Sequence, residues 1–477
     1  MPASQKITGR KEEIAVLKSA LTSAQSELIA VYGRRRVGKT FLIRNAYHKQ
    51  LVFEFSGTLN TSMAQQLGNF HTAITEKSRK TPERPGNWFD AFEQLKALLT
   101  SKKGKEKKVV FFDELPWLDT MHSGFLQALD YFWNTWASRQ NNIIVVVCGS
   151  AAAWMINKII FNKGGLHNRV TRQIRLLPFN LHETEQYLLS KKIKLNHYQL
   201  TQVYMCFGGV PHYLNEMRPG LSAAQNIENT CFKPGGLLYS EFEKLYTSLF
   251  DHSSVHKRII QALASRYSGF NRNEIIRKTG LKSGGYITDV LEELIQSGFV
   301  DYVIPPQKTV KDTVYRLSDE YSLFYLKFIK NNKFPTKSTW THITSSHAYK
   351  VWSGFAFETL CLKHIQQIKA ALGISEVSTY QSQWFFKSSL KGAQIDLFID
   401  RADHSVNVCE LKFCNDEFEI TKSYASILEN KLLAFAKETK TRKALFLTFI
   451  STYGIKPNNH AINLGVKNIV LSDLFKF

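Results

Sequence analysis

Cysteine is scarce. Six occur in 477 residues, at positions 148, 206, 231, 361, 409 and 414, and none forms a Cys-x-x-Cys pair. This excludes a disulfide-stapled scaffold and predicts reduced thiols in a cytoplasmic protein. Long apolar runs are absent too. The most apolar stretch, Ile143–Ile156, is interrupted by Gly149 and Ser150 and falls short of the roughly 20 residues that span a bilayer. It reads as a buried strand and the loop after it, and no membrane partner is expected. The opening segment MPASQKITGRKEEI lacks the apolar centre of a secretory signal. No internal repeat or low-complexity tract is present. Acidic residues are in deficit, 40 against 62 Lys and Arg, for a formal net charge of +22. That excess favours nucleic acid over membrane as a polyanionic partner, because phosphate neutralisation releases counterions. A solvated basic surface is the plainer alternative.

What is present is an ordinary globular composition, 44% hydrophobic and 21% charged, in a chain too long for one core. Cores stop growing near roughly 250–300 residues, so about two to four domains are expected. Strand-like apolar runs at Leu28–Tyr32, Leu51–Phe55, Val109–Phe112, Ile143–Cys148 and Ile174–Leu176 alternate with helical periodicity. That pattern predicts an α/β fold with a parallel sheet covered on both faces. The lysine-rich run Lys102–Lys108 reads as a solvated approach to the third strand.

Directly after the first strand stands Gly33-Arg34-Arg35-Arg36-Val37-Gly38-Lys39-Thr40, followed by Phe41 and an amphipathic helix. This matches the phosphate-binding loop GxxxxGK[ST] in spelling and in context. The glycines let backbone N–H groups turn around phosphates, and the helix N-terminus adds positive potential. Lys39 is the expected partner of the β and γ phosphates of ATP, and the Thr40 hydroxyl a ligand of Mg²⁺. The strand VVFFDELPWL supplies Asp113 as a second Mg²⁺ group and Glu114 as the residue that orients or deprotonates the attacking water. Ser150, at the end of the fourth strand, is a candidate γ-phosphate sensor or a turn residue. Arg169, Arg172 and Arg175 are candidates for a γ-phosphate arginine, acting in cis or from a neighbouring copy in a homo-oligomer. For each singly, a surface salt bridge is the plainer reading.

Together, ITGRKEEI, YGRRRVGKT, FFDELPW, the VCGS strand end, RLLPF and GGVPHYL resemble archaeal and bacterial P-loop ATPases of the AAA+ and STAND group. The resemblance covers about the first half of the chain. It implies that Gly9, Arg10 and Pro211 flank the adenine.

Further on, the stretch from Val255 to Val303 reads as three short helices followed by strands, with Ile259, Leu263, Ile275, Leu291 and Leu294 at core spacing. The TGLKSGG turn and the later TVYRLSD fit a winged helix-turn-helix with a two-stranded wing. Its third helix, near Ser283–Gln296, either enters a DNA groove with Lys282 at its start or serves as a packing and coupling module. Asp289, Glu292 and Glu293 on that helix repel phosphate.

The last segment carries Glu358 on a helical stretch, Asp396 in GAQIDLFID, and Glu410 and Lys412 in VNVCELKF. Alternation puts Glu410 and Lys412 on one face of a strand, within reach of Asp396 on the paired strand. Asp396 and Glu410 suit Mg²⁺, and Lys412 suits the charge that develops on a phosphodiester. This E, D, ExK pattern resembles the PD-(D/E)XK restriction-endonuclease-like superfamily, and also a C-terminal domain of unknown function attached to some archaeal-type ATPases. It implies an Mg²⁺-dependent endodeoxyribonuclease or a nuclease fold that binds without cutting. Gln394-Ile395 stands where a proline often precedes the aspartate. Lys422 and Tyr424 are expected along the cleft. Solvent-facing charges on amphipathic strands are the plainer alternative. His252 and His256 have i, i+4 spacing, but Ser253 stands where a zinc protease needs its glutamate, so no metal role is assigned to them.

The expected organisation is therefore a P-loop ATPase core over 1–180, a helical lid over 181–250, a winged helix over 251–330, a linker over 331–348 and a restriction-endonuclease-like α/β domain over 349–477. The expected function is an ATPase that controls a DNA-directed nuclease-like domain, or a STAND-like ATP switch whose last domain is catalytically silent.

Overall fold

The structure, a computed structural model, describes residues 7–78, 81–161, 166, 168–250, 252–305, 309–330, 339–386 and 392–477. The chain divides into two units. One comprises Met1–Pro178, Leu245–Ser253 and Thr288–Gly298, the other Phe179–Lys244, Ser254–Ile287 and Phe299–Phe477.

In the first unit five strands, β1 (Glu27–Tyr32), β2 (Leu51–Ser56), β3 (Lys108–Asp113), β4 (Ile143–Gly149) and β5 (Arg172–Arg175), form one sheet in the order β2-β3-β4-β1-β5. Every neighbouring pair is parallel. The strands are rich in Val, Ile and Phe because both faces are covered, and β4 is buried along its whole length. Alternation divides the side chains into two layers. Leu28 and Ala30 join Phe53, Phe55, Trp88, Phe92 and Phe112 on one face. Ile29 and Val31 join Leu17, Leu42, Ile43 and Tyr47 on the other. Parallel strands bring their C-terminal ends to one edge of the sheet, where ligands of open α/β sheets bind. With β4 between β1 and β3, the residue after β4 lies between the phosphate loop and the acidic pair.

The fifth strand begins at Arg172, two residues before the apolar run that predicted it. Leu176 has already left the sheet, although its N–H still bonds to Tyr32 O at 2.7 Å. Register with the edge of β1 decides this strand, not hydrophobicity.

In the second unit, helices Leu181–Ser190 and His197–Phe207 precede the Gly208–Gly209 turn. The helix Arg272–Thr279, β7 (Val300–Val303) and β8 (Val314–Leu317) also lie in this unit, while the helix Gly285–Gln296 is divided, Thr288 onward belonging to the first. These two strands pair antiparallel, and β8 also pairs with β6 (Phe270–Asn271). The expected two-stranded wing is thus part of a three-stranded sheet, its third strand too short to register as a periodicity.

Of the expected linker, residues 331–338 lie outside the described residues. Thr339–Thr344 is a helix, and the next helix, His347–Lys363, starts from a Ser346 cap. Trp340 is buried against Phe232, Phe324 and Phe328. One large aromatic anchors a segment whose polar composition reads as a loop.

The last sheet is mixed, in the order β13-β12-β11-β10-β9, with strands β9 (Thr379–Phe386), β10 (Ala393–Arg401), β11 (Ser405–Lys412), β12 (Ala444–Ser451) and β13 (Lys467–Val470). The pairs β9/β10 and β10/β11 are antiparallel, while β11/β12 and β12/β13 are parallel. The helix Lys422–Thr439 makes the crossover from β11 to β12 and packs Phe435 on Trp384 and Phe398. The helix His347–Lys363 meets the sheet through Phe357 on Phe413. Among the described residues no helix is long and apolar enough to cross a membrane.

Candidate functional site

The loop after β1 is shaped by close backbone approach. Gly33 has φ 147, and a Cβ there would lie 2.2 Å from Leu176 O. Arg36 and Gly38 are both left-handed, φ 73 and 93. Gly38 then caps the helix Lys39–Ala46 without any side-chain acceptor, which leaves first-turn N–H groups available to an anion. Val37, Arg34 and Lys39 are buried, while Phe41 is 41% exposed. The Lys39 ammonium folds back and donates to Gly33 O at 2.8 Å and Arg34 O at 3.1 Å. A lysine parked on loop carbonyls is a movable point charge.

Thr40 Oγ1 donates to Asp113 Oδ2 at 2.6 Å, so the hydroxyl and the carboxylate expected to hold Mg²⁺ stand side by side. Their donor chemistry, hard oxygens only, fits that ion. Glu114 is left-handed, φ 47, and its N–H donates to Asp113 Oδ1 at 3.0 Å. Glu114 Oε2 accepts the Ser150 hydroxyl at 2.6 Å and the Ser150 N–H at 3.2 Å.

Arg10 is buried and left-handed, follows the left-handed Gly9, and donates to Val37 O at 3.2 Å while pairing with Glu13 at 3.4 Å. It braces the loop from behind. Arg35 lies over the Trp117 ring, 4.8 Å from its centroid, a contact the motif does not announce. Pro211 belongs to the second unit, at the first position of the helix Pro211–Leu214.

Two of the three arginine candidates are engaged elsewhere. Arg172 pairs with Glu27 at 3.1 Å and donates to Ser19 Oγ at 2.8 Å. Glu27 opens β1, so this pair sits at the sheet edge opposite the phosphate loop. The Arg175 guanidinium donates to the carbonyls of Ile295 and Gln296 at 3.0 and 3.2 Å. Arg169 is exposed.

In the second unit the C-terminal acids gather around β10 and β11. Glu410 is 3% exposed and Asp396 6%. Glu410 Oε1 accepts Tyr424 Oη–H at 2.5 Å and pairs with Lys412 Nζ at 2.8 Å, and Oε2 pairs with Lys431 Nζ at 2.6 Å. Asp396 Oδ2 accepts the Leu411 N–H at 3.2 Å, and Oδ1 the Gln394 amide at 3.3 Å. Glu358 accepts from the Gln383 amide at 3.3 Å, and Arg316 donates to the same Gln383.

Their electrostatics differ. Burial, then the charge of Asp396, pushes the Glu358 carboxyl up to about 8, so it is protonated at neutral pH. Burial and the nearby Glu410 also raise Asp396. Burial acts to raise Glu410 as well, but the ammoniums of Lys412 and Lys431 outweigh it and hold the group below the usual carboxylate range. Among the described residues no group of three or more His, Cys, Asp or Glu is drawn together as a metal cage. Two adjacent carboxylates do suit Mg²⁺, which takes few protein ligands and keeps its waters.

Lys431 and Gln383 were not singled out in the sequence, and Gln394 stood out only as a departure from the motif, not as a donor to Asp396. Lys431 follows Tyr424 by seven residues, two helical turns, which a same-face test on that helix would have exposed. Lys422, expected along the cleft, is exposed at the helix start.

The sheet, the phosphate loop and the Thr40–Asp113–Glu114 constellation define the first unit as a P-loop ATPase fold. Residues 7–217 match the family described as an ATPase domain predominantly from Archaea, a match that runs on through the Gly208–Leu214 turn. An uncharacterized protein of Methanocaldococcus jannaschii is 21% identical over 392 residues, 81% of this chain and 83% of its own length. The Walker-type ATPase of Pyrococcus abyssi has a similar fold, with TM-score 0.50 and 18% identity over 68% of this chain and 98% of that one. The ORC2 protein of Aeropyrum pernix, with TM-score 0.44 and 14% identity, matches 72% of this chain and 97% of its own.

Proposed function

We propose that this chain hydrolyses ATP at the phosphate loop and uses the nucleotide state to control a DNA-directed, Mg²⁺-dependent nuclease centre in its last domain. The observation that carries the ATPase half is the 2.6 Å contact of Thr40 with Asp113, beside a carboxylate, Glu114, free of any ammonium partner among the described contacts. Lys39 leaves its carbonyls for the β and γ phosphates. Glu114 orients or deprotonates the attacking water once Ser150 releases it. Thr40 and Asp113 would hold Mg²⁺, which would supply neutralisation of the phosphate charge. Arg10 braces the loop, and Gly9 beside it is the candidate adenine neighbour in this unit. Arg169, being exposed, is the arginine available to the γ-phosphate of a neighbouring copy in a homo-oligomer.

The nuclease half rests on Glu410 and Asp396, both buried and adjacent, with Lys412 on the same strand face. These two carboxylates would hold Mg²⁺, which supplies Lewis acidity and a more acidic water. Lys412 balances charge on the phosphodiester, and Glu358, neutral when no cation is near, completes the acid set. The net charge of +22 draws a polyanion to such a cleft.

A second reading is a STAND-like ATP switch whose last domain binds nucleic acid or protein without cutting. The lack of an assembled three-ligand cage among the described residues favours it. The acidic Asp289, Glu292 and Glu293 favour a coupling role for the winged-helix segment over groove binding.

The deciding experiment measures phosphate release and cleavage of plasmid and branched DNA with Mg²⁺ and ATP, for wild type, Lys39→Ala and Glu410→Ala. The ATPase reading fails if Lys39→Ala hydrolyses ATP like wild type. The nuclease reading fails if wild type and Glu410→Ala leave every DNA equally intact, and the switch reading then gains if ATP-dependent DNA retention survives Glu410→Ala.

A further inference from the structure

Glu410 is capped on both oxygens, and two of the capping groups, Tyr424 and Lys431, lie outside the motif. Lys412 follows it on the strand. Lys431 comes from the middle of the helix Lys422–Thr439, and at 2.6 Å its ammonium stands closer than that of Lys412, at 2.8 Å. The Lys431 side chain is also the less exposed of the two, 17% against 31%. A lysine on an amphipathic helix normally extends its stem toward water. This one is turned inward to a carboxylate that is itself buried.

A divalent cation shared by Asp396 and Glu410 needs an oxygen of Glu410, and each already carries an ammonium. One ammonium has to give way. Lys412 has a second attachment, its ammonium lying 5.7 Å from the centroid of the Tyr424 ring. Asp396, by contrast, has only neutral hydrogen-bond donors among the described residues, the Leu411 N–H and the Gln394 amide, and offers the cation a first foothold.

We propose that Lys431 is the resident counter-ion of Glu410, yielding its place to a divalent cation and transferring its charge to a phosphodiester oxygen of the bound nucleic acid. This rests on the nuclease-like reading of the same site. The exchange keeps the cleft balanced: the cation replaces the ammonium on Glu410, and the displaced ammonium meets the negative charge that the substrate brings. Cation and nucleic acid then bind cooperatively, since each favours the displaced position of Lys431, and by linkage the coupling is reciprocal. Lys431 is a positioning residue for Glu410 in the resting state.

The test is calorimetric titration of Mn²⁺ into the full chain without nucleotide, with and without a DNA duplex, using Glu410→Gln as the blank for binding elsewhere. Lys431→Met should bind Mn²⁺ about tenfold more tightly than wild type, and the duplex should no longer raise that affinity. Lys431→Arg, which keeps the charge, should return both to wild-type behaviour, and its unfolding midpoint guards against a folding defect in the Met variant. Lys431→Met binding Mn²⁺ at wild-type strength or more weakly overturns the assignment. Loss of the lysine effect together with normal DNA cleavage removes this inference alone. A clear lysine effect in a chain that cuts no DNA supports it while removing the nuclease reading.

Discussion

Glu114 and Ser150 are bonded twice through a single carboxylate oxygen, by the serine hydroxyl at 2.6 Å and by its backbone N–H at 3.2 Å. The strand order makes this possible, since Ser150 directly follows β4, the strand between the phosphate loop and the acidic pair. The hydroxyl is thus committed to the candidate base in this state, not to a phosphate. Replacing Ser150 with Ala leaves only the N–H bond and should raise basal phosphate release about threefold, consistent with losing part of one charge-assisted bond. Glu114→Gln should bind ATP and turn it over roughly 10²–10⁴-fold more slowly. A fall in turnover for Ser150→Ala would instead assign the hydroxyl to the γ-phosphate.

Gly33→Ala tests the close approach behind the phosphate loop. The added Cβ would lie 2.2 Å from a backbone oxygen of Leu176, at φ 147. Neither the sheet edge nor the loop can give way cheaply, so the expected loss is about 2–4 kcal/mol in urea unfolding, together with nucleotide binding. Gly38→Ala meets nothing within 4 Å and suffers from its φ of 93 alone. It should cost about 1–2 kcal/mol.

Acid should loosen the second unit through His364. Its Nε2 accepts the Leu181 N–H at 2.9 Å, so the proton sits on Nδ1, which faces Leu360 O at 2.8 Å. Burial pulls the ring down to about 4 from its ordinary 6.5, against the pull of Leu360 O. The folded state therefore binds fewer protons than the unfolded one. Its contribution is complete above pH 6.5 and is lost as pH falls from 6.5 toward 4, a total of about 3 kcal/mol. Unfolding midpoints of wild type and His364→Gln between pH 7 and 4 should converge as the wild type loses this term; parallel curves would contradict it.

Removing the Glu410 carboxylate strands two ammoniums. Because their side chains are 31% and 17% exposed, water repays part of the loss, and Glu410→Ala should cost about 1–3 kcal/mol in thermal unfolding. Adding Lys431→Met to Glu410→Ala should recover part of it. Strict additivity of the two substitutions would mean that the pair is not coupled.

The first sheet and its loop were legible because their signals are local. Apolar runs marked four of the five strands to within a residue or so, and GRRRVGKT carries its own turn and helix start. Trp340 shows where such reading stops: composition around it is polar, and only packing on Phe232 and Phe324 makes the segment a helix. The arginines show the same limit from the other side. Arg172 and Arg175 look alike in sequence, yet one pairs with the base of β1 and the other with helix-end carbonyls.

The order of residues by itself determined the phosphate loop, the acidic pair on β3 and the E, D, ExK spacing, since strand alternation and turn chemistry act over a few neighbours. Tertiary structure alone decided that Ser150 holds Glu114, that the Leu411 N–H holds Asp396 and that Lys431 caps Glu410. Those pairings join strands and helices 15 to 36 positions apart, and their energy depends on burial, which no local pattern records.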